Sequence, residues 1–196
     1  MVQKQLASDP LCASCYHWLS EYLSAVGRLD AAEQAIRRAI ELQPEHADFY
    51  TELASVAILR GDAEAALKAA RQEIAAGGWQ DIALALAQQI GGDSAAADAA
   101  LKTLVDKQGD DAAYQIAEVY ALRKDPDKVF EWLDRAWVNR DAGIGELLYD
   151  PLLLRYARDP RFAAFCRKAG LPVPGEPPAP TSGVTLAIAP AATRTP

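Results

Sequence analysis

Positive charge is scarce in this chain: 20 Lys and Arg stand against 27 Asp and Glu, a formal net charge of -7 with a sequence pI near 4.9. An acidic chain gains nothing from releasing counterions at a phosphate backbone, so nucleic acid is not an expected partner. The same sign disfavours an anionic membrane surface. Apolar runs are short as well. No stretch approaches the roughly 18 residues of a spanning helix, and Met1–Pro10 lacks the apolar core of a signal peptide. These absences make the cytoplasm the expected location. Cysteine occurs only as Cys12, Cys15 and Cys166, which make no disulfide framework and agree with a reducing compartment. His17 and His46 are the only histidines, and no nucleophile is suggested beside either. Neither a GxxxxGKS/T loop nor a GxGxxG turn occurs. No cofactor, metal or catalytic residue is therefore expected.

Alanine, by contrast, is abundant within a hydrophobic share of 51%. Ala is the strongest helix former, and its small side chain lets helices pack closely. It recurs with a fixed period. Gly27-Arg28-Leu29-Asp30-Ala31-Ala32 returns 34 residues later as Gly61-Asp62-Ala63-Glu64-Ala65-Ala66, and Tyr16 and Leu19 return as Tyr50 and Leu53. Ser20 and Ala54, Ala32 and Ala66 are the small residues at which paired helices approach. Gly27 and Gly61 end the first helix of each pair. Pro44 cannot continue a helix and marks the next boundary, whereas Gly78 stands where the second such proline would fall.

Weaker copies follow. Gly91-Gly92 reads as a hairpin turn, with Ala97 and Leu101 in the next helix. Tyr114–Tyr120 reads as a first helix and Asp125-Pro126-Asp127 as the opening of its partner. Asp150-Pro151 and Asp159-Pro160 each place an N-cap before a proline at the first helical position. Pro10 precedes Pro44 by the same 34 residues, so the chain reads as beginning inside a repeat. The expected organisation is a remnant of a preceding repeat helix over 1–10, two regular hairpins over 11–76, two degenerate hairpins over 77–138, a helical cap over 139–172 and a disordered Pro/Ala-rich tail over 173–196. An open N-terminal edge favours self-association, because terminal repeats ordinarily carry a polar cap.

The 34-residue period and these slots resemble the tetratricopeptide repeat. The later part, through Val129–Ala136 to Asp159-Pro160-Arg161-Phe162, is similar to the closing region of bacterial multi-repeat regulators, in which such arrays follow winged-helix, adenylate cyclase or kinase domains. No such effector domain is present in this chain. The resemblance implies an all-α, right-handed superhelical stack of antiparallel hairpins. It also implies a concave groove that holds a protein or peptide partner, lined by the first helix of each hairpin. Carried onto this sequence, the groove positions are His17, Trp18, Glu21, Thr51, Glu52, Ser55, Gln115 and Glu118. The Lys/Asn carboxylate clamp of chaperone-binding members is missing. A groove bearing Glu and an aromatic suits a basic or apolar segment.

Two further features have more than one reading. Cys12-Ala13-Ser14-Cys15 is a CxxC motif near a helix N-terminus, where a redox pair or half a zinc site is conceivable. A second ligand pair is lacking, and small packing residues are the plainer reading. Trp79, Trp132 and Trp137 are expected in the core. The competing functional readings are a protein-binding module, a self-associating remnant of a larger regulator, and a thiol-redox or metal-binding protein using Cys12 and Cys15.

Overall fold

A computed structural model describes residues 2–74 and 76–176. Among these residues there are ten α-helices, three short 3₁₀ segments and no strand. The helices are α1 (Val2–Ser8), α2 (Ala13–Ala25), α3 (Leu29–Leu42), α4 (Phe49–Arg60), α5 (Ala63–Gln72), α6 (Trp79–Gln88), α7 (Ser94–Gln108), α8 (Ala113–Leu122), α9 (Pro126–Asn139) and α10 (Pro160–Ala169). The 3₁₀ segments are Ala76–Gly78, Ala142–Glu146 and Leu153–Tyr156. No helix of the described residues is long and apolar enough to cross a membrane. The tail expected over 173–196 lies outside the described residues from position 177 onward.

The turns show why the hairpins form. At the end of α2, the Gly27 N–H donates to Ser24 O at 3.0 Å and the Arg28 N–H to Leu23 O at 2.8 Å. The end of α4 repeats this pattern, with Gly61 donating to Ile58 O at 3.0 Å and Asp62 to Ala57 O at 3.0 Å. Gly27 and Gly61 have φ of 73° and 77°, which a residue without Cβ adopts freely. The turn after α8 uses the same pair of bonds, from Lys124 and Asp125, although Lys124 (φ 59°) carries a side chain. The next helix is then capped by aspartate. Asp62, Asp93 and Asp125 accept from the N–H groups of Ala65, Ala96 and Lys128, at 3.0, 3.0 and 3.1 Å.

Packing follows from the small residues. Ser20, Ala32, Ala54 and Ala66 are all buried to 1% exposure or less, so the backbones of paired helices close on one another. Helices α2 to α7 each contact the next, α8 pairs with α9, and α2, α4, α6 and α8 also touch in sequence. The result is a helical solenoid in which these four first helices share one side. Ile36, Phe49, Leu104, Ile116, Leu133 and Phe162 are fully buried along its length. The tryptophans divide. Trp132 is buried, Trp79 is half-buried at the edge of the core, and Trp137, expected inside, is 38% exposed. It lies near the C-terminal end of α9, on the rim.

The cysteines also depart from expectation, because Cys12 and Cys15 are joined as a disulfide. The reason is local. Cys12 is the N-cap of α2 and Cys15 lies one turn on, so their Cα atoms stand 5.2 Å apart, within the span a bridge requires. The Cys15 N–H also donates to Cys12 Sγ at 3.2 Å. Cys166 is free and buried.

Candidate functional site

The shared side of α2, α4, α6 and α8 carries a lining rich in carboxyl groups. One small pocket of about 100 Å³ brings together His17 and Glu21 of α2, Thr51, Glu52 and Ser55 of α4, and Gln115 and Glu118 of α8. Trp79, Ile82 and Leu86 of α6 form its apolar wall, and Asp48 and Glu146 complete it. Seven of the eight residues assigned to the groove by register thus share one pocket. The eighth, Trp18, lies outside it. Trp18 is 45% exposed and lines a wider cleft of about 650 Å³, along with His46, Trp79 and Arg140.

The wall opposite the helices comes from a segment that register did not reveal. After α9 the chain turns back across the first helices. The Asp141 carboxylate accepts from the Tyr114 N–H at the start of α8 at 2.9 Å and from the Gly143 N–H at 2.9 Å. Tyr149 then reaches Tyr22 on α2, with ring centroids 5.2 Å apart. Asp150 is buried. It accepts from the Tyr114 hydroxyl at 3.0 Å and from the Leu152 N–H at 2.7 Å. A second pocket of about 70 Å³ lies under this turn, walled by Glu21, Glu52 and Glu118 on the helices and by Glu146, Tyr149 and Asp150 on the turn.

Crowding acids without cations sets the electrostatics. Neither small pocket is lined by a Lys or Arg among the described residues. Burial, reinforced by neighbouring carboxylates, pushes Glu21 up to about 8 and Glu146 up to about 7. Burial likewise pushes Glu52 up to about 8, although the Ser20 hydroxyl donates to its Oε1 at 2.6 Å. Glu118 is raised well above the usual range by burial and by neighbouring Asp150, whose own carboxyl is also raised by burial. Asp48, at the head of α4, is raised to about 6 by burial, and its Oδ1 is buried without a hydrogen-bond partner. His17 moves the other way, to about 4, because burial disfavours its cation. His17 Nε2 and Glu21 Oε1, 3.4 Å apart, therefore meet as neutral groups at pH 7 rather than as an ion pair.

One assigned residue has a different occupation. Thr51 is buried, and its N–H and hydroxyl both donate to Glu73 Oε2, at 2.7 and 2.9 Å. Asp48 makes no side-chain cap to α4. Glu73, from the end of α5, supplies that cap instead, placing a carboxylate at a helix N-terminus. The Thr51 side chain is thus committed to holding the hairpin together.

Among the described residues, no group of three or more His, Cys, Asp or Glu side chains is arranged to hold a metal ion. In comparison with known families, residues 13–56 match the family model of the tetratricopeptide repeat. No curated protein matches the chain. The family match, together with the helical solenoid, supports a tetratricopeptide-type repeat protein, a class that works through protein–protein interaction.

Proposed function

We propose that this chain is a binding module rather than an enzyme, and that the shared face of α2, α4, α6 and α8 holds a basic segment of a partner protein. The observation that carries the reading is the set of half-buried carboxyl groups Glu21, Glu52 and Glu118, gathered with no cation in their pocket. A carboxyl group that burial keeps protonated is destabilised as an anion. A lysine or arginine brought beside it reverses that, so the groove has an unspent preference for positive charge. The wider cleft beside it offers Trp18, Trp79 and His17 as apolar and aromatic surface, and an arginine or lysine stem packs well on such faces. In this reading the chain is a docking arm, of the kind that multi-repeat regulators carry.

The test is peptide display on the full chain. Enrichment of Lys- and Arg-bearing segments is expected, lost on Glu52→Lys or Glu118→Lys. Enrichment indifferent to charge, or unaffected by those substitutions, would exclude the groove as the binding face.

A second reading, self-association, is favoured by a separate observation. Leu11, Trp18, Tyr22 and Val26, spaced by seven, four and four residues along α2 and the turns on either side of it, are 67%, 45%, 46% and 69% exposed. Sedimentation over a range of concentrations decides it. A mass that rises with concentration and returns to that of one chain on Tyr22→Glu supports the reading, and a constant mass rejects it.

A further inference from the structure

The turn that covers the groove packs acid against acid. Glu146 and Asp150 descend from it onto Glu21 of α2, Glu52 of α4 and Glu118 of α8. We propose that this face-to-face packing makes residues 143–152 a proton-operated latch over the groove, held shut when the carboxyl groups are neutral and loosened as they ionise. The proposal concerns regulation of the site described above and rests on that reading only for its consequence; the latch itself needs no partner.

The geometry gives the latch a fixed end and a labile end. At the fixed end, Asp141 is tied to the Tyr114 and Gly143 N–H groups. Ile144 and Leu147 are buried there and set a baseline cost for opening that does not depend on protons. The labile end is the carboxyl contact. Asp150 keeps its bonds to the Tyr114 hydroxyl and to the Leu152 N–H in either charge state. Glu118, by contrast, lines the same pocket as Asp150, and the two acids repel one another once both are ionised. Glu146 faces Glu21 and Glu52 across a space with no cation to replace a lost proton.

Other charged and titratable groups around the turn leave this balance in place. From α2 come His17, neutral at pH 7, and Tyr22, which touches the Tyr149 ring. From the head of α4 comes Asp48, with His46 beside it at 3.5 Å. Arg140 lines only the outer cleft. Tyr114 and Tyr149 are both raised by burial and stay neutral.

The sign follows from linkage. Carboxyl groups whose closed-state pKa is raised bind more protons closed than open. Closure is strongest at acid pH and weakens as pH climbs from the ordinary 4.5 toward the values of about 8 for Glu21 and Glu52 and about 7 for Glu146. A rise in pH therefore uncovers the groove, whereas a cation seated between the facing carboxylates would stand in for the lost proton.

Hydrogen exchange of the full chain at about pH 5 and about pH 8, corrected for intrinsic exchange, tests the latch without any ligand. The opening equilibrium of amides in 143–152 is expected to rise at least about tenfold across this range. Amides of α9, which carries none of these carboxyl groups, should change less. Glu146→Gln, which lies on the turn outside the helical stack, should flatten the response, and Glu21→Gln should do the same from the opposite wall. An unchanged turn, a change of equal size in α9, or a full response in both variants would overturn the proposal.

Discussion

The Tyr114 hydroxyl donates to Asp150 Oδ2 across 3.0 Å, joining the first turn of α8 to the turn that covers the groove. Both residues are buried, so the bond is made away from water and its loss strands an acceptor. Tyr114→Phe is expected to lower unfolding free energy by about 1–2 kcal/mol, read as a lower urea midpoint with an unchanged slope.

The trans-acting cap on α4 gives a larger effect. Glu73 is 2% exposed and receives three donors: the Thr51 N–H, the Thr51 hydroxyl and its neighbour Ile74 N–H. Glu73→Ala removes the acceptor and leaves buried donors at a helix N-terminus, for an expected loss of roughly 2–3 kcal/mol. Thr51→Val, which keeps the N–H bond, should lose about half as much. Equal losses would mean that the hydroxyl, not the helix end, is what Glu73 serves.

Lys124 closes the α8–α9 turn with a positive φ that side chains disfavour. Lys124→Gly relieves that strain at the position where the two N-terminal hairpins carry Gly27 and Gly61. A gain of about 0.5–1 kcal/mol is expected in thermal or urea unfolding. A loss would show that the Lys124 side chain makes a contribution larger than the backbone strain.

Thiol titration checks the bridge at the head of α2. The unfolded, unreduced chain should show one reactive thiol, Cys166, and reduction should expose Cys12 and Cys15 as well. Three thiols before reduction would show that the pair is open.

The sequence made the hairpin turns legible because their signals are local. Gly27, Gly61 and the Asp125-Pro126 opening of α9 each act within one turn of the chain. Ser20, Ala32, Ala54 and Ala66 were readable for the same reason, since a buried small residue recurs with the repeat. The carboxyl groups of Glu21, Glu52 and Glu118 could be placed on one face by register alone. Register could not show that Glu73 reaches back to Thr51, a contact spanning 22 residues. Nor could it show that Asp150 returns to Tyr114, 36 residues away. Glu146, Tyr149 and Asp150 sit in a segment with no repeat to align, so their place over the groove follows only from tertiary packing. Lys124 gives no turn signal of its own, because the usual glycine is absent, and Asp125-Pro126 marks that turn instead. The CxxC spacing of Cys12 and Cys15 admits a thiol pair as one reading, and the bridge itself follows from placing both at the first turn of α2.

The central claim is that the groove prefers positive charge because its acids are held neutral until a cation arrives. Calorimetric titration of the full chain with a Lys/Arg-rich octapeptide at pH 7, in two buffers of different ionisation heat, tests it most directly. Binding should release protons, because Glu21 and Glu52, raised to about 8 in the free groove, ionise beside the bound cation. Affinity should fall at least about tenfold for the charge-reversed peptide and for a Glu21→Gln/Glu52→Gln variant, whose binding should release fewer protons. Equal affinity for both peptides, or binding with no proton release, would contradict the account.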